Sequence, residues 1–116
     1  MTRPKKKSDL LQGTLDLLVL KILSAGSLHG YGLAARIHQL SDEVLRIEEG
    51  SLYPALYRLE LKGIIESDWR LTDSGREAKF YKLTRKGRRQ MKTEADGWAR
   101  SSAAVERVLR AIEQGG

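Results

Sequence analysis

Hydrophobic positions recur at helical spacing near the start of the chain. Leu11, Leu15, Leu18 and Ile22 follow one another at steps of four, three and four, and they predict a first helix over Asp9–Ala25. Other leucines around this stripe make most of the helix surface apolar. Such a helix needs cover on more than one side, which favours contact with the domain core and with a second chain.

The end of the chain has a longer repeat of the same kind. Seven positions alternate at steps of four and three, as in the seam of a coiled coil: Met91, Ala95, Trp98, Ser102, Val105, Leu109 and Ile112. A helix from Thr84 to Gln114 would be about 45 Å long at about 1.5 Å per residue. A domain of this size does not cover so long a helix, so the seam predicts a homodimer, with Leu11 and Leu15 extending the interface. Packing of the seam on the first helix of the same chain is the alternative.

Two shorter helices are predicted between these long ones. One covers Tyr31–Leu40, and the next covers Ser51–Gly63, with Ser51 as N-cap and Pro54 in the first turn, where its missing N–H is harmless. Segment Val44–Ile47 is too short to assign and leaves a stub of strand open. In the third helix Leu52, Ala55, Leu56 and Leu59 gather on one face, while the opposite face gathers Tyr53, Pro54, Tyr57, Arg58 and Leu61.

Two strands complete the pattern. They are predicted over Ile64–Trp69 and Ala78–Thr84, joined by a long polar tip at Arg70–Glu77. The resulting fold is mainly α with a small β-hairpin wing: a winged helix-turn-helix followed by a long C-terminal dimerisation helix. We therefore divide the chain into an N-terminal arm (1–8), a DNA-binding domain (9–84) and a dimerisation helix (85–116).

Charge is unevenly distributed along the chain, which has a net charge of +6. Residues 1–8 hold four bases and no acid, and residues 70–92 hold nine bases against two acids. A local excess of this size favours a polyanion as partner, with nucleic acid first. We expect phosphate contacts from the arm and the wing, through Lys5, Lys6, Lys7, Arg70, Arg76, Lys79 and Lys82.

Several classes of protein are disfavoured by the residues present. The chain has no cysteine, which excludes a disulfide scaffold, a thiol nucleophile and a cysteine-based zinc site. His29 and His38 have no partners at ligand spacing, so we expect no enzyme, no metal and no cofactor. The apolar stretch after the arm is interrupted by Gln12, Asp16 and Lys21, which argues against a signal peptide or membrane span and for a cytoplasmic protein.

Six short motifs are distributed over residues 9–90. They comprise Gly13-Thr14-Leu15, Leu28-His29-Gly30-Tyr31-Gly32, the run Gly50–Glu60 with the sequence GSLYPALYRLE, Lys62–Ile65, Lys79–Thr84 and Lys86-Gly87. With these motifs the sequence resembles the PadR family of winged-helix transcriptional regulators, in its small subfamily. The resemblance implies a dimeric DNA-binding repressor that can respond to a small molecule, with the DNA-reading helix at Ser51–Lys62 and the wing tip at about Arg70–Lys79.

Three expectations follow for ligands and partners. A symmetric dimer is expected to bind a pseudo-palindromic operator in double-stranded DNA, contacted by Ser51, Tyr53, Pro54, Tyr57 and Arg58. Trp98 lies between the small Ala95 and Ser102, so it either fills the interface or leaves a slot for a planar ligand, as the resemblance suggests. The alternative function is a winged-helix protein-interaction module without a specific DNA target.

Overall fold

The computed structural model describes the backbone of residues 5–114 and the side chains of residues 13–114. Its elements are α1 (Lys5–Leu23), β1 (Leu28–His29), α2 (Gly30–Leu40), α3 (Glu49–Leu61), β2 (Ile65–Leu71), β3 (Glu77–Leu83) and α4 (Arg85–Glu113). In that part of the chain no helix is both long and apolar enough to cross a membrane. The four helices and the hairpin confirm the winged helix-turn-helix.

α1 and α3 begin earlier than the sequence pattern suggests. α1 starts at Lys5, so residues 5–8 of the expected arm have helical backbone, while the side chains of Lys5, Lys6, Lys7 and Leu11 lie outside the described residues. α3 starts at Glu49, and the prediction of Ser51 as its N-cap is wrong. Glu48 is the N-cap, because its extended backbone already places its carbonyl to accept from the amides of Ser51 (3.0 Å) and Leu52 (2.9 Å).

The sheet has three antiparallel strands in the order β1-β3-β2. β1 was missed because two residues are too few to show alternation. The predicted tip at Arg70–Glu77 is too long: Arg70 and Leu71 pair with Ala78 and Glu77, which leaves a loop of residues 72–76. Segment Val44–Ile47 forms no strand and belongs to the irregular connection between α2 and α3.

The core lies where the first three helices meet one face of the sheet. Leucines dominate it, and Leu20, Leu33 and Leu56 have no exposed surface. Ile65 and Leu83, a directly opposed pair on β2 and β3, close the core from the sheet side. The core thus fixes the base of the hairpin against α3 and leaves the hairpin's far end in solvent.

Thr84 and Gly87 hold the start of α4 close to the core. The Thr84 hydroxyl caps the helix by accepting from the amide of Gly87 (3.0 Å), and it also lies 2.7 Å from the carbonyl oxygen of Gly63. Gly87 is buried so tightly that a Cβ there would overlap the carbonyl oxygen of Ile64. Further along, Met91 packs against the core, as the intrachain alternative for the seam predicts.

The second half of α4 extends away from the domain, and the molecule is 58 Å long. The seam residues Ala95 and Ser102 are still half-buried, but Trp98, Val105, Leu109 and Ile112 are 53–69% exposed. The protomer therefore accounts for the start of the seam and leaves its end as an apolar stripe in solvent.

Candidate nucleic-acid interface

The outer face of α3 presents two tyrosines to solvent. Tyr53 is 43% exposed and Tyr57 is 66% exposed, while Leu52 and Leu56, on the other face, are buried. Tyr53 also leans on the start of α2: a Cβ on Gly30 would lie 2.6 Å from its hydroxyl oxygen. Glycine at position 30 therefore lets α2 and α3, the two helices of the helix-turn-helix, approach closely. Tyr57 is the more exposed of the two tyrosines.

α2 begins with a histidine that caps it. The Nδ1 atom of His29 accepts a hydrogen bond from the amide of Gly32 (2.9 Å), so this nitrogen is unprotonated. The ring also lies edge-on to Phe80, with ring centroids 5.1 Å apart. These contacts make His29 the cap of α2 and a packing partner of the sheet.

Arg58 is held by α1. Its guanidinium donates two hydrogen bonds to the carboxylate of Asp16, at 2.8 and 3.1 Å, and the side chains are only 30% and 16% exposed. The hydrogen bond to Asp16 raises the pKa of Arg58, burial opposes the rise, and the charge of Asp16 adds to it. Arg58 thus lies on the α1-facing flank of α3, and its contact with DNA stays a prediction that requires Asp16 to be exchanged for the nucleic acid.

Ser51 and Pro54 lie on the same flank as Arg58. Both are exposed at the rim of a groove of about 350 Å³ between α1, residues 45–48 and α3, with Leu15 and Leu18 among its apolar walls. Pro54 is the sixth residue of α3, so it lies in the second turn and not in the first as predicted. Its ring supplies no amide to the carbonyl of Gly50, which also lines the groove.

Glu60 links α3 to the wing, here the β2–β3 hairpin. Its carboxylate accepts a hydrogen bond from the Ser67 hydroxyl (2.6 Å) and lies 3.6 Å from the ammonium of Lys79. The neighbouring Tyr81 is buried, and its pKa is raised by that burial and then by the charges of Glu60 and Tyr53. One acid on the last turn of α3 therefore joins both strands of the wing to the helix.

The bases of the wing lie close to acids of the same hairpin. Arg70 stacks on Phe80, 4.6 Å from the ring centroid, and donates to Asp68 at 3.2 Å. Lys82 lies 3.7 Å from Glu66. Over residues 65–83 the sequence has four bases and four acids, so the hairpin is electrically balanced. The basic excess of residues 70–92 therefore lies beyond the wing, in α4.

Two exposed apolar residues of the wing escaped the sequence analysis. Trp69 and Leu71 are both about two-thirds exposed, and they share a sheet face with Lys79 and Ser67. Alternation counted from the buried Ile65 would have placed them on that face. The predicted strand ended at Trp69, so it did not include Leu71, and no contact was predicted for Trp69.

The sequence of most of the chain matches the model of one protein family. The model of the family described as "Transcriptional regulator PadR-like family" matches residues 19–93. Transcriptional regulator Rv3488 of Mycobacterium tuberculosis is 36% identical over 77 residues, which cover 66% of this chain and 68% of that protein. An uncharacterised protein of Lysinibacillus sphaericus is 25% identical over 107 residues, covering 92% of this chain and 98% of the relative.

Solved structures agree with the sequence relatives. A PadR-like transcriptional regulator from Bacillus cereus superposes with a TM-score of 0.74 at 29% identity, covering 87% of this chain and 96% of that one. A transcriptional regulator from Clostridium thermocellum gives 0.77 at 27% identity, covering 85% and 96%. Bacillus subtilis PadR, solved in complex with operator DNA, gives 0.62 at 24% identity, covering 69% and 44%, and shares the fold.

Proposed function

This chain belongs to the PadR-like family of transcriptional regulators, and from that premise we propose that it is a homodimeric repressor that binds a specific double-stranded DNA sequence. The observation that carries the proposal is the exposed outer face of α3, the helix that Glu60 links to the wing. Bacillus subtilis PadR, which shares the fold, was solved with operator DNA. Because a regulator of this kind must reach chromosomal DNA, we also propose that it acts in the cytoplasm.

In the proposed complex α3 enters the major groove and the wing lies along the flanking backbone. Tyr53 and Tyr57 contact base edges or phosphates, and Ser51 and Pro54 approach the backbone at the start of the helix. Arg76, in the wing loop, contacts phosphates without reading sequence, and Lys79 does the same when a phosphate replaces Glu60 as its partner. The same role is proposed for Lys5, Lys6 and Lys7, whose side chains lie outside the described residues.

The dimer is proposed to form through the exposed end of α4. Val105, Leu109 and Ile112 make a continuous apolar stripe that nothing in the described part of the chain covers. Two copies related by a two-fold axis would bury these stripes against each other and present two α3 helices. Their target is then a pseudo-palindrome with half-sites about 34–36 Å apart.

Response to a ligand is proposed at Trp98. The ring is 53% exposed on the seam, between the half-buried Ala95 and Ser102. In the dimer two such rings face each other across small side chains, which leaves room for a planar apolar molecule to stack between them. A ligand there would change the angle between protomers and hence the half-site spacing, which couples its binding to release of DNA. Ordinary filling of the interface by Trp98 is the competing account.

One observation favours the alternative of a protein-interaction module. The wing is electrically balanced and exposes Trp69 and Leu71, a composition that suits a protein surface as well as a DNA backbone. A protein-binding wing would leave α3 without a sequence preference. Selection from random DNA therefore separates the two functions.

The test is selection of bound sequences from random duplexes, followed by anisotropy titrations with the selected duplex. We expect an enriched pseudo-palindrome. Tyr57→Ala should weaken binding to it about fivefold or more, which corresponds to about 1 kcal/mol. Binding to random DNA should weaken less, and stay unchanged if Tyr57 contacts only base edges. Arg110→Ala, in the last turn of α4, is the control and should bind as wild type does. Recovery of no common sequence would refute the proposed function and leave the protein-interaction module.

A further inference from the structure

Five cations lie in the first turns of α4. Arg85, Lys86, Arg88, Arg89 and Lys92 are all exposed, and no acid occurs between residues 84 and 93. Among the described residues none of the five forms an ion pair. Lys86 donates a hydrogen bond to the backbone carbonyl of Lys62 (2.8 Å), which leaves its charge uncompensated. This is a concentration of free positive charge that the wing, with its four bases and four acids, does not have.

Helical geometry places four of these cations on one face. At about 100° per residue, Arg85, Arg88, Arg89 and Lys92 occupy about 100° of the helix circumference, and we call them the α4 cation face. The buried Gly87 and the half-buried Met91 point to the other side, toward the domain. The face extends about 10 Å along the axis, which spans about two to three phosphates of one DNA strand at their spacing of about 3.4 Å along the duplex axis.

The α4 cation face lies next to the end of the DNA-reading helix. Lys86 and Thr84 both hydrogen-bond the backbone at the C-terminal end of α3, through the carbonyls of Lys62 and Gly63. α3 has 13 residues, a length of about 20 Å, whereas the major groove is about 12 Å wide. A helix of that length lying across the groove reaches the phosphate backbone at its end, where α4 begins.

From these observations we infer that the α4 cation face binds phosphates of the duplex that flanks the sequence contacted by α3. This inference rests on the proposed DNA-binding function and adds a second contact surface to it. The contact is independent of sequence, because the face presents charge to the backbone and no side chain to a base edge. It also adds phosphate contacts to those proposed for the wing, whose bases and acids are equal in number.

The experiment compares two double variants of equal charge. Arg85→Gln with Arg89→Gln removes two cations from the α4 cation face. Arg100→Gln with Arg107→Gln removes two exposed cations from the same side of the same helix, further from α3. Binding to random duplex is measured by anisotropy over a salt series. The first variant should reduce the slope of log K against log salt by about 1.8, since each phosphate contact contributes about 0.9, and the second should leave the slope unchanged.

A charge-conserving variant separates loss of contact from loss of fold. Arg85→Lys with Arg89→Lys should keep the slope of wild type, and all three variants should melt at the temperature of wild type because the replaced side chains are exposed. Equal slopes for wild type and the Arg85→Gln, Arg89→Gln variant would overturn the inference while leaving the proposed function intact. Absence of any salt-dependent DNA binding by wild type would overturn both. A slope lost only with RNA, and not with duplex DNA, would assign the face to a different partner and refute the inference.

Discussion

The partner of Arg58 is determined by the tertiary fold and is not evident from the sequence of α3. Arg58 was predicted to share a face with Tyr53 and Tyr57, the residues proposed to contact DNA, although at about 100° per residue it lies about 140° from Tyr53 around the helix. In the structure it turns toward α1 and binds Asp16, 42 residues earlier in the chain. The pair joins α3 to α1, so a change at Arg58 alters the fold as well as any contact with DNA.

Arg58→Ala is therefore expected to destabilise the domain. It leaves the half-buried Asp16 carboxylate without its two charged hydrogen bonds, which should lower the free energy of unfolding by about 1–3 kcal/mol. Urea denaturation followed by circular dichroism measures the change. Arg110→Ala removes an ion pair with Glu106 whose partners are both more than 60% exposed, and it should cost less than about 0.5 kcal/mol. Equal stabilities of the two variants would show that the Arg58–Asp16 pair contributes nothing to the fold.

At the scale of elements, short contacts decide how α3, the wing and α4 are arranged. Glu60 joins α3 to both wing strands, and Thr84 with Gly87 fixes the start of α4 against the junction of α3 and β2. Because α4 leaves the domain from this junction, a small tilt at Gly87 moves its distant end by a much larger distance. The direction of the proposed dimerisation helix is thus set at its first turn.

Gly87→Ala and Gly97→Ala should have opposite effects, although both replace a glycine within α4. Alanine is the better helix former by about 1 kcal/mol, and at Gly97 nothing lies within 4 Å of the new methyl group, so stability should rise by about 0.5–1 kcal/mol. At Gly87 the methyl group would overlap the Ile64 carbonyl, and stability should fall by about 1–3 kcal/mol. Thermal denaturation of both variants provides the comparison. A stabilised Gly87→Ala protein would mean that α4 does not dock as closely as described.

At the scale of the whole molecule, α4 divides into a half that packs on the domain and a half whose apolar stripe is exposed to solvent. Met91 packs on the core, whereas Val105, Leu109 and Ile112 are mostly exposed. An apolar stripe of this length in solvent costs free energy that a second copy would recover by burying it. The proposed dimer, the half-site spacing and the Trp98 slot all depend on that burial.

Val105→Asp with Leu109→Asp should give a monomer in sedimentation velocity, because it places unpaired charge in the proposed interface. The control, Ala103→Asp with Ala111→Asp, places the same charges on the opposite, exposed face of α4 and should remain a dimer. A dimer that persists in the Val105→Asp, Leu109→Asp variant would exclude this interface.

A planar cationic dye should quench Trp98 fluorescence in the dimeric control and not in the monomer. Trp98→Phe measures the background fluorescence of Trp69.

Much of the architecture was determined by the sequence alone. The spacing of apolar residues predicted all four helices and the hairpin, and the run from Gly50 to Glu60 identified the family. Both inferences depend on residues that are close in the chain, since a helix face or a strand face is defined by its own period. The boundaries were less accurate, as at Ser51 and Arg70, because backbone hydrogen bonds extend elements past the side-chain pattern.

Only the tertiary structure decided which charges remain available and which are neutralised. Asp16 forms an ion pair with Arg58, Glu60 with Lys79, and Glu66 with Lys82. Lys86, in contrast, donates a hydrogen bond to a backbone carbonyl. The same holds for β1, a strand of two residues that exists because β3 pairs with it. These contacts join residues from distant parts of the chain or from facing elements, and a periodic pattern within one element has no information about what the fold brings against it.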